Sequence, residues 1–371
     1  MTHGSFHGSY HPRDVTFLLK PLEHMTQVDV AVKERLIQSG EKHYSEMISP
    51  EQHPSAAYMQ LFEQAWARNG ERTAQDLLKL ASLLHHSRPG EITLVSLARA
   101  GTPFGIILKR LLELAFRRKV KHYSVSIIRD RGIDTRALDH IVAKHPQTSI
   151  AFIDGWTGKG VITQELQQSI QRYNTTHATH IDPSLWVLAD LAGVAAHTAS
   201  THDYLIPSSI LNATISGLIS RSILAAEHNP DDFHGCLYYA HLEAQDVSRR
   251  YVDDLSQRAL NLHLQTLHSV QPDSLDDSIE QRRQQVKELI AGLMREHKVP
   301  HINLIKPGIG EATRVLLRRT PGLLILSDGA DHDIEHLRTL AKEKNVPTVN
   351  APQLAPYQAI AIIKDIHHAS A

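Results

Sequence analysis

The segment SIAFIDGWTGKGVI, residues 149–162, carries the most informative pattern in this 371-residue chain. Its apolar first half, bounded by turn-forming residues, is typical of a strand buried in a parallel sheet. Residues 163–172 have the length and polarity of a surface helix. Between them, Gly155, Gly158 and Gly160 let the backbone approach a ligand closely and adopt positive φ. The pattern predicts a strand, a glycine-rich turn and a helix whose first amides bind an anion. The alternative is that the glycines only reverse the chain.

A second unit of the same kind lies upstream. An apolar strand at residues 92–97 leads into ARAGTPFG, residues 98–105, and then into an amphipathic helix at residues 106–116. In an open parallel sheet, ligands bind outside the carboxyl ends of the strands. The two turns are therefore expected to face one substrate that carries two separated phosphate groups.

Both segments resemble known motifs. SLARAGTPFG resembles the pyrophosphate loop of phosphoribosyltransferases, and IAFIDGWTGKG resembles their signature for the ribose and 5-phosphate of phosphoribosyl pyrophosphate. HYSEM, DGWTGKG, IPSSILNATISGLISR and FHGCLYY are similar to the phosphoribosyltransferase-like family of tellurium-resistance (Ter) stress gene clusters, catalogued as StiP and described as a cysteine protease. The sequence departs from the signature at one point: two adjacent acidic residues and a longer turn are usual, whereas Asp154 is followed here by Gly155.

The resemblance implies a phosphoribosyltransferase that binds phosphoribosyl pyrophosphate with Mg²⁺ and makes or salvages a nucleotide-like metabolite in a stress response. Asp154 would hold ribose hydroxyls or Mg²⁺, and it is the implied metal ligand and the first implied catalytic residue. The implied cofactor- and substrate-binding residues are Arg99, Ala100, Gly101, Thr102, Asp154, Gly155, Trp156, Thr157, Gly158, Lys159 and Gly160.

A charged turn, IRDRGID, follows the predicted strand at residues 122–128 and supplies a second catalytic candidate, Arg129. A guanidinium group can bind a diphosphate through two hydrogen bonds. The alternative is a solvated turn in which Asp134 caps the next helix.

The single cysteine, Cys236, follows His234 in the sequence FHGC. One cysteine excludes an internal disulfide and is compatible with a reducing cytoplasm. In a cysteine hydrolase the imidazole must take the thiol proton, but residues two apart in a strand are separated by about two rises of 3.3 Å. We interpret Cys236 as a buried small thiol and keep Cys236 with His234 as the alternative nucleophile pair.

Composition limits the partners that the chain can attract. The formal net charge is −1, so no overall charge draws the chain to nucleic acid or to anionic membranes. No apolar run approaches the ~20 residues of a membrane span, and no secretion signal is evident. A cytoplasmic protein without a membrane partner is therefore expected. The 26 histidines are scattered and lack the spacing of a zinc site.

Periodicity predicts two domains. The first, residues 1–270, combines a mostly helical cap over residues 1–90 with a sheet core and trailing helix over residues 91–270. Alternating strands and helices predict a parallel α/β sheet there. The predicted strands are 92–97, 122–128, 149–153, 185–189 and 203–206, and the further helices are 28–39, 55–69, 72–86, one from Ser208 or Ser209 onward and one at 240–264.

The second predicted domain, residues 271–371, contains a polar, acidic linker at 268–278 and a helix at 279–296. KPGIGEATRVLLRR and LLILSDGADHDIEHLRTLAKEKNVPTVN resemble the Pelota-type RNA-binding domain, a small three-layer α/β/α fold. Basic residues around a glycine-bordered helix start favour binding of the RNA backbone. The alternative for this domain is a docking or dimerisation module, which would allow a homo-oligomer. For the whole chain, a non-catalytic RNA-associated adaptor, which binds without turnover, is a further alternative to an enzyme. The predicted RNA-binding residues are Lys306, Gly308, Gly310, Arg314 and Arg318.

Overall fold

The computed structural model describes residues 6–225, 227–265, 276–328 and 332–365. The strands are β1 (Thr16–Leu18), β2 (Lys20–Pro21), β3 (Ile92–Ala98), β4 (Val120–Ile128), β5 (Gly132–Ile133), β6 (Ile150–Thr157), β7 (Leu185–Asp190), β8 (His197–Ser200), β9 (Gly235–Cys236), β10 (Ile305–Pro307), β11 (Pro321–Leu326), β12 (Thr348–Asn350) and β13 (Ala359–Ile363). The helices are α1 (Val30–Gln38), α2 (Ala56–Ser87), α3 (Thr102–Leu114), α4 (Thr135–Val142), α5 (Val161–His177), α6 (Ser248–Gln265), α7 (Asp276–Glu296), α8 (Ile309–Arg318) and α9 (Glu335–Glu343).

The main sheet has the order β1-β4-β3-β6-β7-β8, with all of these strands parallel, and β5 pairs antiparallel with β4. The central strands are largely buried on both faces, as the apolar runs of β3 and β7 predict. The predicted strands at 92–97, 122–128 and 185–189 are confirmed as β3, β4 and β7. The short strand β2 pairs in parallel with β9 in a separate small sheet.

Strand β6 extends beyond the predicted residues 149–153 and includes half of the glycine-rich segment. Its ladder with β7 runs as far as Thr157. Gly155 lies within this ladder, and it is a glycine because a Cβ at this position would lie only 2.8 Å from the ring of Phe104. Pairing and packing therefore reduce the turn to residues 158–160, directly before α5.

The N-terminal helices also differ from the predicted pattern. The predicted helices at 55–69 and 72–86 form one continuous helix, α2. Asn69 and Gly70, where the predicted break falls, are buried in its middle. Packing against α3, α6 and the β7–β8 edge of the sheet carries the helix through this point, so tertiary contacts outweigh the low helix propensity of glycine.

The segment after β8 is irregular, and two predictions there are wrong. Residues 203–206 form no strand, and the predicted helix from Ser208 or Ser209 is replaced by two short 3-10 turns. Gly217 ends this segment with a φ of +78°, and a Cβ there would lie 2.7 Å from the ring of Tyr10. The segment lies along the surface of the core and forms no regular helix. Gly217 adopts a left-handed conformation there and packs against the ring of Tyr10. The helix predicted at 240–264 begins only at Ser248.

The C-terminal part, meaning the described residues from Asp276 onward, builds a four-stranded mixed sheet in the order β10-β13-β11-β12. Strand β13 runs antiparallel to β10 and β11, whereas β12 runs parallel to β11. Helix α8 packs on β13, β10 and α9. The sequence predicts strands at 301–306, 322–327 and 347–350 that alternate with helices at 310–319 and 331–344. β10, β11, β12, α8 and α9 confirm this alternation, except that β10 starts later than predicted, after a 3-10 turn at Ile302–Leu304.

The hydrophobic core runs through both parts of the chain. Phe104 and Trp186 of the main sheet region belong to the same cluster of buried side chains as Leu316 and Ile325 of the C-terminal part. The predicted domain boundary near residue 270 lies outside the described residues. None of the helices in the described ranges is long and apolar enough to cross a bilayer.

Candidate functional site: a basic cavity at the carboxyl edge of the sheet

A cavity of about 1000 Å³ lies where β3, β4 and β6 end. Four parts of the chain enclose it: the turns that follow these strands, the segment from α1 to Tyr58, the irregular segment between Ile210 and Tyr239, and the C-terminal part between His301 and Arg319. The carboxyl edge of the sheet is the place where the strand order predicted a ligand.

Basic side chains dominate the lining, with nine lysines and arginines against four carboxylates. A cavity with this excess of positive charge attracts ligands that carry several anionic groups. The basic residues are Lys33, Arg99, Arg129, Lys159, Arg221, Lys306, Arg314, Arg318 and Arg319, and the carboxylates are Glu34, Glu51, Asp154 and Glu311.

Arg99 holds the turn after β3. Its guanidinium group donates to Glu51 Oε2 at 3.1 Å, to Asn212 Oδ1 at 2.8 Å and to the carbonyl oxygen of Ile219 at 2.8 Å. The side chains of Arg99 and Glu51 are only 17% and 15% exposed. Since three of the five N–H donors of Arg99 already have partners, its main role is to position the turn.

Two predicted ligand contacts in this turn are corrected. Arg99 and Ala100 line the cavity, whereas Gly101 and Thr102 lie behind its surface. A Cβ at Gly101 would lie 2.6 Å from the carbonyl oxygen of Ile153. The hydroxyl of Thr102 is fully buried and shares a hydrogen bond of 2.7 Å with Ser124. Packing against the sheet explains both residue types, as the contact with Phe104 explains Gly155.

Asp154 faces the cavity from the end of β6. Its Oδ1 accepts a hydrogen bond from the amide of Gly155 at 2.8 Å. Burial raises the pKa of Asp154 to about 7, so this carboxyl group titrates near neutral pH. The hydroxyl of Thr157 donates to Asp190 at 2.5 Å, so it supports the end of β6 and is not free for a ligand.

The start of α5 offers amides and a hydroxyl to the cavity. Gly160 adopts a φ of +86° and provides no side-chain cap. The next three residues, Val161, Ile162 and Thr163, all line the cavity. Thr163 Oγ1 is buried and has no hydrogen-bond partner within the described ranges. An uncapped helix start beside an unpaired hydroxyl favours a bound anion. Sequence reasoning missed Thr163, although a hydroxyl in the first helical turn after the glycines was a usable signal.

The turn after β6 is anchored to the C-terminal part. Lys159 donates to the carbonyl oxygens of Ile302 and, at 2.8 Å, of Ile305. The hydroxyl of Tyr357 donates to the carbonyl oxygen of Gly158 at 2.6 Å. Burial, together with the nearby charge of Lys306, lowers the pKa of Lys159 to about 7.

Trp156 connects the two sides of the cavity. The guanidinium carbon of Arg314 lies 4.5 Å from the centroid of its indole ring, within cation–π range. Arg314 also donates to Glu311 Oε1 at 3.0 Å. Although burial raises the pKa of Glu311, the charges of Arg314 and Lys306 outweigh it and hold that pKa below its usual range. The three side chains therefore form an ordered ionic and aromatic cluster in the lining.

Tyr44, from the HYSEM segment, lies beside two arginines. The guanidinium carbons of Arg129 and Arg221 are each 5.2 Å from the centroid of its ring. Its hydroxyl accepts a hydrogen bond from the backbone amide of Arg129 at 2.8 Å, and Arg221 donates to the carbonyl oxygens of Tyr44 and Met47. Burial lowers the pKa of Arg221 to about 10. The structure thus brings the predicted Arg129 to the same cavity as Asp154.

The basic residues predicted to bind RNA lie in this cavity and not on a separate surface. Lys306, Arg314 and Arg318 all line it. Arg318 donates to the carbonyl oxygen of Ile210 at 2.8 Å, and burial, reinforced by Arg314, lowers its pKa to about 9. The two sites that the sequence suggested are therefore one site.

The glycine-bordered start of α8 is capped by a carboxylate of the chain itself. Asp203 accepts hydrogen bonds from the amide of Ile309 at 3.0 and 3.2 Å and from the amide of Gln358 at 2.8 Å. Gly308, with a φ of +96°, and Gly310 both lie away from the large cavity. The prediction that this helix start is open to an RNA phosphate is corrected, because Asp203 occupies the position that the phosphate would take.

The alternative nucleophile pair lies outside the cavity. Cys236 is 0% exposed, and burial raises the pKa of its thiol to about 12. The Nδ1 atom of His234 shares a hydrogen bond of 2.7 Å with Ser126 Oγ, and burial lowers the pKa of His234. Within the described ranges, no hydrogen bond links the thiol to an imidazole. A thiol with a high pKa is a poor nucleophile.

The sequence analysis also missed Lys33, Glu34 and Glu51, which line the cavity. Lys33 and Glu34 lie on α1, whose pattern is that of an ordinary amphipathic surface helix. Glu34 accepts a hydrogen bond from Arg319 at 2.6 Å across 285 positions of sequence. No local signal could identify such a pair, because its meaning depends on the packing of distant segments.

The fold and the cavity define an α/β protein with a predominantly parallel sheet, a basic cavity at the carboxyl edge of that sheet and a small mixed sheet that completes the cavity. The chain belongs to the family described as "Tellurite-like stress resistance cysteine protease StiP", which it matches over residues 8–256. Residues 284–365 match the PELOTA RNA binding domain.

A curated relative from Acinetobacter baylyi is named "Cysteine protease StiP". It is 44% identical over 371 residues, and the match covers 97% of this chain and 95% of the relative. The names of the family and of this relative are those of an enzyme.

Solved structures of hypoxanthine phosphoribosyltransferases show a weaker similarity. The Trypanosoma cruzi enzyme is 15% identical over 35% of this chain and 77% of its own, with a TM-score of 0.26. Its K68R mutant, complexed with the product IMP, is 12% identical over 54% of this chain and 94% of its own, again with a TM-score of 0.26. Similarity at this level supports no functional conclusion.

Proposed function

We propose that the protein is an enzyme of the phosphoribosyltransferase class that binds phosphoribosyl pyrophosphate, or a related ribose phosphate, with Mg²⁺ in the basic cavity. The observation that carries this proposal is the convergence of both phosphate-type turns, Asp154 and nine basic side chains on one cavity. The reaction would make or salvage a nucleotide-like metabolite.

In this proposal the protein acts by electrostatics and positioning. The acceptor's lone pair attacks the anomeric carbon, the bond from that carbon to the pyrophosphate oxygen breaks, and pyrophosphate leaves with the electron pair. A proton carried by the acceptor passes to water. The amides at the start of α5 and the hydroxyl of Thr163 bind the 5-phosphate. The turn that Arg99 positions binds the pyrophosphate, and Arg129, after β4, stabilises the charge that develops on it.

The residues of the cavity fit Mg²⁺ that arrives with its substrate. Mg²⁺ keeps several waters and is usually bound by one or two carboxylates together with substrate phosphates. Asp154 provides one such carboxylate next to the α5 turn. Within the described ranges no cluster of three or more His, Cys, Asp or Glu could hold a metal by itself. When bound, the ion would neutralise charge on the leaving pyrophosphate, while Asp154 orients it.

Asp154→Asn should remove the Mg²⁺-dependent gain in affinity for phosphoribosyl pyrophosphate. A metal ligand must be ionised, and the pKa of Asp154 is about 7. In the unaltered protein, the Mg²⁺-dependent gain in affinity should therefore be about tenfold smaller at pH 6 than at pH 8. In the variant, this gain should be small at both pH values. Calorimetric titrations with and without Mg²⁺ at the two pH values measure this difference.

The stability of the same variant provides a control. Folding raises the pKa of Asp154, so its ionised form destabilises the folded state, with no penalty below about pH 4 and the full penalty above pH 7. Asp154→Asn should therefore unfold at a higher temperature than the unaltered protein at pH 8 and at the same temperature at pH 4. An unchanged Mg²⁺-dependent gain in a folded variant would exclude Asp154 from the site.

The name of the family supports a second candidate function, a cysteine hydrolase that uses Cys236. We expect Cys236→Ser to retain binding of phosphoribosyl pyrophosphate and any turnover. The substitution leaves at most a buried, unsatisfied hydroxyl, which costs about 1–3 kcal/mol. Titration calorimetry and thermal unfolding of the variant measure both quantities.

The hydrolase alternative predicts the opposite result for Cys236→Ser. If the folded variant lost all turnover, Cys236 would be the nucleophile, and His234→Ala would be the next variant to test.

RNA binding by the C-terminal part is supported by the match of residues 284–365. An RNA probe therefore forms part of the binding experiment described below.

A further inference from the structure

Three basic side chains of the cavity have no role in the proposed binding of phosphoribosyl pyrophosphate. Lys33 lies on α1, Lys306 on β10 and Arg319 at the end of α8. None of them belongs to the turns that follow β3 or β6. All three line the same cavity.

These three side chains have unused hydrogen-bonding capacity. In the described parts of the chain, no hydrogen bond or ion pair involves the ammonium group of Lys33 or of Lys306. Arg319 donates to Glu34 at 2.6 Å, but its Nε is buried without a partner. All three residues are partly buried, and a cation withdrawn from water without a full set of hydrogen-bond partners is costly, so a bound anion would stabilise this part of the cavity.

The three groups also influence one another electrostatically. Burial, together with the charge of Arg221, lowers the pKa of Lys33 to about 7, and Arg319 contributes further. Burial also lowers the pKa of Lys306, and Arg319 adds to that shift. Arg319 also donates to Glu34, which follows Lys33 on α1, and all three side chains line the same cavity.

The size of the cavity allows a second ligand group. Small-molecule sites occupy about 300–1,000 Å³, and this cavity, at about 1000 Å³, is at the upper end of that range. The cavity is therefore large enough for a second ligand group beside phosphoribosyl pyrophosphate.

We propose that the acceptor substrate is itself phosphorylated, a molecule of the nucleotide class whose phosphate is bound by Lys33, Lys306 and Arg319. This inference depends on the proposed function, since it concerns the second substrate of the same cavity. The phosphate belongs either to a free nucleotide or to the end of an RNA strand. The chemistry of recognition is the same for both.

The test uses the full-length protein saturated with phosphoribosyl pyrophosphate and Mg²⁺. Adenosine 5′-monophosphate and adenosine are titrated separately by calorimetry, and we expect the monophosphate to bind at least tenfold more tightly. A 5′-phosphorylated RNA trinucleotide and its unphosphorylated form provide the RNA arm. Tighter binding of either phosphorylated probe supports the inference, and the arm that shows the larger difference identifies the source of the phosphate.

Charge-removing variants locate the phosphate. Lys33→Gln and Lys306→Gln should each weaken binding of the preferred phosphorylated probe by about tenfold, the usual contribution of a charged hydrogen bond, and change the affinity for phosphoribosyl pyrophosphate by less than about twofold. Lys119→Gln is the matched control, because Lys119 is 77% exposed and paired with Glu91. Lys33 lies on a half-exposed helix face, so its variant serves even where Lys306→Gln does not fold.

Three results would overturn parts of this account, and they can be distinguished. Absence of binding by phosphoribosyl pyrophosphate itself contradicts the proposed function. Binding of phosphoribosyl pyrophosphate with equal affinity for phosphorylated and unphosphorylated probes contradicts the inference alone. If Lys33→Gln weakened binding of phosphoribosyl pyrophosphate and of the phosphorylated probe equally, Lys33 would belong to the phosphoribosyl pyrophosphate site, and the inference would be rejected.

Discussion

Asp203→Ala should lower the free energy of unfolding by about 3 kcal/mol. The carboxylate of Asp203 accepts hydrogen bonds from the amides of Ile309 and Gln358. Hydrogen bonds to a charged group contribute about 1.5–3 kcal/mol each, and this carboxylate also lies at the positive end of the dipole of α8. Urea denaturation followed by circular dichroism would measure the change.

Asp328→Ala is the matched control for Asp203→Ala, since Asp328 is exposed and belongs to the C-terminal part. It should change stability by less than about 0.5 kcal/mol. A similarly small effect of Asp203→Ala would mean that water or a neighbouring group caps α8 equally well.

Arg99→Met should lower the free energy of unfolding by about 3–5 kcal/mol and weaken binding of phosphoribosyl pyrophosphate at least tenfold. Removing one partner of a largely buried ion pair leaves the other charge uncompensated, here the carboxylate of Glu51. The turn after β3 would also lose its contacts with Asn212 and with the carbonyl oxygen of Ile219. Urea denaturation and calorimetric titration would measure the two effects.

Glu51→Gln tests the cause of the destabilisation by Arg99→Met. The glutamine oxygen can still accept from the amide of Ala213, as Glu51 Oε1 does at 2.6 Å, but it carries no charge. Combined with Arg99→Met, it should restore part of the lost stability, because the double variant has no unpaired charge. Strictly additive losses would show that the ion pair is not the reason.

The sequence determined three strands of the main sheet, β3, β4 and β7, and the edge at which a ligand is expected. β3 and β7 are largely apolar runs, and local hydrophobicity is sufficient to predict a strand that is buried on both faces. Since parallel strands end at one edge, the turns after β3 and β6 could be placed together before any coordinates were known. The motif resemblance added the family, and the match over residues 8–256 confirms it.

Local patterns failed where a distant contact decides the conformation. Residues 154–157 looked like part of a turn, but pairing with β7 makes them strand. The segment from Ser208 looked helical, but Gly217 packs under the ring of Tyr10 with positive φ. In both places the sequence contains residues that suit the contact, but it does not show which distant residue they contact.

Only the tertiary structure decided which residues line the cavity and how far the thiol of Cys236 is buried. Lys33, Arg99 and Arg318 are far apart in sequence, and they line one cavity because α1, the main sheet and the C-terminal part pack around the same space. Cys236 has a raised pKa because residues from other segments remove it from water. Hydrophobic periodicity records whether a residue is covered. It does not indicate which side chains pack around that residue, and the electrostatics of a site depend on which side chains those are.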